Sequence, residues 1–172
     1  LVEDMRRHVE RELARARAGV RARGAASQPV SPIAEQVVEV MRRTPKGKEL
    51  SWHIDVPRDL AVGVDAQDLA EMLGNLVENA AQWARTSVRL CGWPESDATG
   101  LLVEDDGPGV PEHEVETVLA RGGRLDATKP GTGLGLAIVG DLVETYGGSL
   151  VLGRSPLGGL RVELRLPGRR DK

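Results

Sequence analysis

The most restrictive feature of the sequence is an amphipathic segment at residues 65–84, DAQDLAEMLGNLVENAAQWA. Its apolar side chains recur every three or four residues, the spacing that places them on one face of an α-helix. Asp65 is the predicted N-cap of this helix, and Asp68 is favourable in its first turn. The apolar face consists of Leu69, Met72, Leu73, Leu76, Val77, Ala80, Ala81 and Ala84. The segment therefore predicts a helix with one face in a protein core.

The opposite face of this helix is polar. It carries Glu71, Asn75, Glu78, Asn79 and Gln82, with Trp83 at the boundary between the two faces. Asn is a poorer helix former than Glu or Lys, the residues that suit a merely solvated face. The two Asn residues therefore suggest a function for their amides, but the helix alone leaves an ordinary solvated face equally open.

Length and composition exclude several classes of protein. A chain of 172 residues can form one domain with a core and a short appendage. The net charge of −3 gives no reason to expect a nucleic-acid partner. The sequence has no 18-residue apolar run and no signal-peptide pattern, so we expect a soluble piece. Cys91 is the single cysteine, which excludes an internal disulfide and a cysteine metal cluster and fits a reducing compartment.

Helical patterns precede the central segment. Residues 1–18 form a charged helix with a thin apolar stripe, which is too short and polar to be stable alone. Residues 19–29 are predicted to be a linker. Ser31 is then predicted to cap a second helix, with Pro32 at its first position, that extends to about residue 43. Its predicted apolar face consists of Ile33, Val37, Val40 and Met41.

Strand patterns alternate with helical ones in the rest of the chain. We predict an apolar helix that ends at Gly147, and a functional loop at residues 111–130 with at most one short helix at 112–120. The interleaved order predicts an α+β fold, a two-layer sandwich with helices on one face of a mixed sheet. The predicted strands are residues 50–56, 60–64, 87–93, 100–105, 149–153 and 159–166.

Two glycine clusters follow the central helix. The sequence Asp105-Asp106-Gly107-Pro108-Gly109 has the pattern D-x-G-x-G at a strand end, which alone indicates only a turn. A second pattern, G-x-G-x-G, ends at Gly135 just before an apolar helix, where backbone amides and the helix dipole could hold an anion. It has neither the dinucleotide-binding spacing nor the Gly-Lys-Ser/Thr of a Walker loop.

In combination, these motifs resemble the GHKL ATPase/kinase superfamily. NLVENA is similar to its N box, EDDGPGVP to its first glycine box and PGTGLGLAIV to its second. Within it, residues 29–167 resemble the catalytic domain of two-component sensor histidine kinases. RGGRLDATKPGTGLGLAI and SPLGGLRVELRLP look particularly similar to the PhoQ-type kinases. The resemblance implies the Bergerat ATP-binding fold, with a long lid over ATP.

The resemblance also implies roles for individual residues. Asn79 matches the family's Mg²⁺ ligand, and Asp105 the carboxylate that accepts the adenine amino group. Gly107 and Gly109 would let the chain pass close to the base, and Trp83 would offer it a flat face. The lid cations Arg121, Arg124 and Lys129 would reach the terminal phosphates. The second glycine loop would hold these phosphates, and its positions are Gly131, Thr132, Gly133, Leu134, Gly135 and Leu136.

The sequence departs from the family pattern at several positions. Gln82 stands where the family usually has a Lys or Arg that approaches the phosphates, and Leu119 stands near the position of the lid Phe. Asn75 matches a Glu that activates water in the superfamily's ATP hydrolases, and an amide cannot act as that base. His8 lacks the Pro that follows the family's phosphoacceptor His.

We therefore expect a histidine kinase catalytic domain that donates the γ-phosphoryl group of ATP to a His on a dimerisation domain absent from this chain. Residues 1–18 would end a helix of that domain, 30–168 would form the catalytic domain, and 169–172 a tail. The implied whole protein is a homodimeric sensor in a bacterial inner membrane, with this domain in the cytoplasm and a response regulator as partner. A nucleotide-gated binding module and an anti-sigma-type serine kinase remain alternatives.

Overall fold

The computed structural model describes residues 2–114 and 135–169. In this part of the chain, no helix is long and apolar enough to span a membrane. The helices are α1 (Val2–Arg23), α2 (Val30–Arg42), α3 (Pro45–Lys48), α4 (Ala66–Trp83) and α5 (Gly135–Thr145), with a 3₁₀ turn at Glu112–Glu114. The strands are β1 (Gln28–Pro29), β2 (Ser51–Asp55), β3 (Ala61–Val62), β4 (Ser87–Pro94), β5 (Ala98–Asp105), β6 (Ser149–Arg154) and β7 (Leu160–Pro167).

Five of these strands form one mixed sheet in the order β2-β4-β5-β7-β6. β2 and β4 are parallel, and every other neighbouring pair is antiparallel. The connection between the parallel strands contains α4, as expected because a parallel pair needs a crossover. The short strands β1 and β3 pair separately. The predicted α+β fold with a mixed sheet is confirmed, and β5 lies at its centre.

Helix α4 forms the centre of the helical layer, between α2 and α5. The side chain of Asp65 accepts hydrogen bonds from the amides of Gln67 and Asp68, which confirms it as the N-cap. All eight residues of the predicted apolar face are buried. They pack in one core with the inward-facing residues of the sheet, which include Leu90, Leu101 and Leu164. The sequence pattern thus predicted both the bounds and the buried face of α4.

The start and the buried face of α2 differ from the prediction. The helix begins at Val30 rather than after Ser31, and its N-cap position, Pro29, makes no side-chain cap. The Ser31 hydroxyl instead donates to Glu35 Oε1 at 3.0 Å. The helix starts early because β1 pairs with β3 immediately before it, and the Val30 amide donates to the Leu60 carbonyl. Its fully buried residues are Val30, Ser31, Ala34 and Val38, while Val40 of the predicted face is exposed.

Helix α1 continues five residues beyond the predicted end at residue 18, into the predicted linker. Ala18 is completely buried in the core, and Arg21 pairs with Asp68 of α4. These contacts with the body of the domain explain why the helix persists past Gly19, since tertiary packing supplies most helical stability. Residues 24–27 connect α1 to the next strand.

Candidate functional site

A buried carboxylate lies at the end of the central strand. Asp105 is the last residue of β5 and is 1% exposed. It lies on the same side of the sheet as Leu101 and Val103, which face the helices. Its Oδ1 accepts hydrogen bonds from the amides of Gly107 at 2.8 Å and Leu160 at 3.4 Å. Burial raises the pKa of this carboxyl group, and the two amide hydrogen bonds partly offset the rise.

Three segments of backbone converge on Asp105, and two glycines permit their approach. A Cβ atom on Gly107 would lie 2.8 Å from Asp105 Oδ1 and 2.9 Å from the carbonyl carbon of Trp83, at the end of α4. A Cβ atom on Gly159 would lie 2.5 Å from both the Asp105 carbonyl oxygen and the Gly107 amide nitrogen. Neither position has room for a side chain. The sequence interpretation missed Gly159, because its contact with Asp105 spans 54 residues of chain.

Gly109 has a backbone requirement of its own. Its φ of +73° lies in the left-handed region, which glycine adopts without the strain imposed by a side chain. A Cβ atom there would also lie 3.1 Å from the Gly159 carbonyl oxygen. The second glycine of the D-x-G-x-G pattern is thus needed for the path of the loop beside Asp105.

The neighbouring carboxylate, Asp106, fixes this loop to the start of β4. It accepts hydrogen bonds from the amides of Arg85, Thr86 and Ser87, and from the Thr86 hydroxyl. Burial alone would raise the pKa of Asp106, but the hydrogen bonds from Thr86 and its neighbours outweigh burial and lower the pKa to about 2. The sequence interpretation gave Asp106 no role. Its position within the D-x-G-x-G motif was the sequence signal from which a structural role could have been inferred.

The polar face of α4 meets the start of α5. Asn75 donates from Nδ2 to the Glu71 carbonyl at 2.8 Å, and its Oδ1 lies 3.1 Å from the position of a Cβ atom on Gly135. Asn79 lies one turn further along α4 and is partly exposed. Gln82 and Trp83 are also partly buried, near the end of the helix. The polar face of α4 therefore extends from the glycine at the start of α5 to the Asp105 loop.

Helix α5 begins directly at the last glycine of G-x-G-x-G. Gly135 is its first residue and leaves room for a Cβ atom only at 3.1 Å from Asn75 Oδ1, and Leu136 is buried in the core. The first amides of such a helix have no intrahelical acceptors and carry the positive end of its dipole. The other predicted loop and lid residues lie outside the described residues, as does Leu119. They are Arg121, Arg124, Lys129, Gly131, Thr132, Gly133 and Leu134.

Residues 2–114 and 135–169 contain no group of three or more His, Cys, Asp or Glu side chains able to hold a metal ion. The predicted Mg²⁺ ligand, Asn79, is an amide and does not belong to such a group. Mg²⁺ binds through few protein ligands, keeps several waters and takes further oxygens from substrate phosphates. The oxygen of Asn79 therefore fits a metal that arrives with a phosphate ligand.

Comparison with known proteins identifies the family. Residues 64–170, more than half of the chain, match the family model described as "Histidine kinase-, DNA gyrase B-, and HSP90-like ATPase". The chain belongs to this family. The matched range begins just before α4 and includes both glycine clusters and the closing hairpin β6–β7, so it contains every candidate site residue.

The related proteins are sensor kinases. Sensor protein kinase CarS of Pseudomonas aeruginosa is 47% identical over 119 residues, which are 69% of this chain and 26% of that protein. Sensor protein PhoQ of Escherichia coli K12 is 31% identical over 136 residues, 79% of this chain and 28% of that protein. The chain thus spans about a quarter of the length of these relatives. The predicted resemblance to sensor histidine kinases is confirmed.

A solved structure supports the fold. The crystal structure of the ATP binding domain of PrrB from Mycobacterium tuberculosis superposes with a TM-score of 0.70 at 26% identity. The match covers 85% of this chain and 98% of that domain. The mixed sheet and its helical layer therefore correspond to a complete domain of a known protein.

Proposed function

We propose that this chain binds ATP with Mg²⁺ and donates the γ-phosphoryl group to a histidine of a dimerisation domain. The observation that carries the proposal is the buried carboxylate of Asp105 at the end of β5. The family match and the ATP binding domain of PrrB support the choice of nucleotide.

Asp105 selects adenine in this proposal. Within the described residues, its Oδ1 accepts the amides of Gly107 and Leu160, and no hydrogen bond reaches Oδ2. A carboxylate accepts hydrogen bonds from the exocyclic amino group of adenine. Guanine presents a carbonyl oxygen at that position, which would leave a buried acceptor facing another acceptor. Trp83, at the end of α4 beside this loop, offers a flat surface to the base.

The phosphates extend toward the start of α5. Along the α4 axis, Asn75 lies about 12 Å from Trp83, at a rise of 1.5 Å per residue. Asn79 lies between them and would supply one oxygen to Mg²⁺, which neutralises charge on the phosphates when bound. The α5 N-terminus would receive the phosphates on its free amides, preceded by the glycine loop. Because Gln82 carries no charge, Arg121, Arg124 and Lys129 of the lid would supply the cations.

Asn75 makes the site a phosphoryl donor rather than a hydrolase in this proposal. Its amide donates to the Glu71 carbonyl and has no basic atom to take a proton from water. A water molecule beside the γ-phosphate would therefore lack a general base. ATP would persist until a histidine nucleophile arrives in line with the bond that breaks.

The acceptor belongs to a partner domain in this proposal. Helix α1 corresponds to the end of a helix of the dimerisation domain, residues 30–168 to the catalytic domain and 169–172 to a tail. The whole protein would be a membrane-bound homodimer that passes its phosphoryl group to a response regulator. Gln82 favours a second candidate, a nucleotide-gated binding module without transfer, because it removes one cation from the phosphate site.

Incubation with γ-labelled ATP and Mg²⁺, with and without the upstream helical hairpin, tests the proposal. We expect acid-labile phosphoprotein only when the hairpin is present in cis or in trans. Label on His8 would overturn the assignment of residues 1–18, and rapid release of free phosphate by the chain alone would indicate an ATPase. ATP binding without label on the correct hairpin would favour the binding module.

A further inference from the structure

A buried ionic cluster joins α1 to the rest of the domain. Its centre is Asp68, in the first turn of α4, whose side chain is fully buried. Its Oδ1 accepts a hydrogen bond from the Arg21 guanidinium of α1. Its Oδ2 accepts one from the Tyr146 hydroxyl, just beyond α5, at 2.5 Å. The Tyr146 hydroxyl also accepts the Asp65 amide at 3.2 Å. One carboxylate thus holds three helices together.

The chemistry of the cluster makes α1 a required partner of Asp68. A buried carboxylate is unfavourable unless it is paired and hydrogen-bonded. The hydrogen bond to Asp68 is the main reason that the pKa of Arg21 is raised, so its guanidinium stays charged. Burial is the main cause that raises the pKa of Tyr146, and the hydrogen bond to Asp68 raises it further, so the hydroxyl remains a donor. Release of α1 would leave Asp68 with Tyr146 alone.

A second ion pair, between α1 and α5, provides a contrast. Arg15 and Glu144 lie 3.7 Å apart, with 54% and 71% of their side chains exposed. Exposed pairs of this kind contribute little to stability, because water and salt screen them. Ala18 is completely buried, and its small side chain allows α1 to lie close to the core. The docking of α1 therefore depends on the Asp68 cluster rather than on the surface pair.

We propose that Asp68 is a docking residue that fixes the orientation of α1 on the nucleotide-binding unit, with Arg21 and Tyr146 as its positioning partners. α1 is then a fixed arm and not a helix on a free linker. A consequence for phosphoryl transfer rests on the proposed function: α1 sets the direction from which the acceptor hairpin approaches the nucleotide.

The cluster is well separated from the proposed nucleotide site. Asp68 lies eleven residues before Asn79 on α4, about 16 Å along the helix axis. Tyr146 lies eleven residues after Gly135, just past the opposite end of α5. Substitutions in the cluster should therefore alter the docking of α1 without a direct effect on nucleotide contacts.

Hydrogen exchange of the chain without nucleotide tests the docking. Tyr146→Phe removes only the hydroxyl, and Arg21→Gln removes the charge together with the guanidinium that donates to Asp68. Each should increase exchange at the amides of residues 14–23 by about tenfold or more, as expected for loss of a buried charged hydrogen bond. The matched control, Arg15→Gln, should change the same amides less than twofold.

Two results would overturn the proposal. Unchanged exchange at residues 14–23 in both Tyr146→Phe and Arg21→Gln would show that the cluster does not hold α1. Exchange that increases equally in α1, α2 and α4 would show that the cluster stabilises the whole domain instead. Because this measurement uses no nucleotide, a chain that fails to bind ATP would reject the proposed function and leave the docking result valid.

A kinetic experiment tests the consequence for transfer. In a chain extended by the upstream hairpin, Tyr146→Phe should lower kcat for phosphoryl transfer about tenfold, because orientation of the reacting groups is lost. The KM for ATP should stay within twofold of that of the unsubstituted protein. An unchanged kcat, or a raised KM with kcat unchanged, would contradict a positioning role.

Discussion

The tight packing at Gly159 provides a sharp test of the geometry around Asp105. In Gly159→Ala, the new methyl group would lie 2.5 Å from the Asp105 carbonyl oxygen and 2.5 Å from the Gly107 amide nitrogen. Comfortable non-bonded separations are about 3.5–4.0 Å. Both contacts involve backbone atoms, and Asp105 and Gly107 are themselves held by hydrogen bonds. The methyl group can therefore fit only if the loop after β5 moves away from β7.

This displacement has a predictable cost. Overpacking of a rigid site costs about 1–3 kcal/mol, and contacts with backbone favour the upper end of that range. We expect Gly159→Ala to lower the free energy of unfolding by about 3 kcal/mol. If Asp105 moves away from the base, ATP affinity should also fall by roughly tenfold to a hundredfold, the equivalent of one lost hydrogen bond to a charged group.

Urea denaturation and calorimetric titration with ATP would measure the two effects. Gly153→Ala is the control for the added methyl group, because Gly153 lies in β6 and has no atom within 4 Å of its Cβ position. It should be neutral or slightly stabilising. A destabilisation below about 0.5 kcal/mol for Gly159→Ala would refute the argument that the three segments are rigidly packed around Asp105.

Three further predictions concern neighbouring residues. Asn79→Ala should remove most of the Mg²⁺ dependence of ATP binding with no change in the unfolding midpoint, and a metal titration that matches the unsubstituted chain would exclude Asn79 as the ligand. Asp106→Asn should reduce the free energy of unfolding at pH 7 by roughly 2 kcal/mol, since the folded pKa of about 2 lies below the ordinary value of about 3.9. In urea titrations, this difference should persist above about pH 4 and vanish as the pH falls through 2; a difference independent of pH would contradict it. The chain alone should release negligible phosphate from ATP because Asn75 cannot act as a base, and rapid release in a phosphate assay would disprove this.

Features that depend on local pattern were predictable from the sequence. The helical period correctly predicted that the eight apolar residues of the face on α4 are buried, because such a face packs against the core, but it did not predict the burial of Asp68. Asp65 was identifiable as the N-cap because capping needs only the two or three residues that follow. The end of α5 near Gly147 was also predictable, because a glycine with a left-handed backbone commonly follows a helix, and Gly147 has a φ of +69°.

Features that depend on distant contacts were not predictable. The early start of α2 follows from the pairing of β1 with β3, two-residue strands separated by the whole of α2 and β2. The extension of α1 follows from the contact between Arg21 and Asp68, 47 residues apart. Ser31 resembled an N-cap by sequence, but the chain was already helical at that point. In each case, a tertiary contact outweighed the local signal.

The same distinction applies to the candidate site. The motifs predicted roles for Asp105, Gly107 and Asn79 because their spacing is itself characteristic, and these roles remain predictions. They did not identify Gly159, whose role depends on a neighbouring strand, or Asp106, whose partners lie across the turn at the start of β4. Lid residues such as Arg121 remain predictions.

The most direct test of the central claim compares ATP with GTP. Calorimetric titration of the chain in the presence of Mg²⁺ should show binding of ATP and ADP, and GTP binding at least tenfold weaker. Asp105→Ala should reduce ATP affinity by roughly tenfold to a hundredfold and remove most of this preference. Equal affinities of the unsubstituted chain for ATP and GTP would contradict the assignment of Asp105 as the adenine-binding carboxylate.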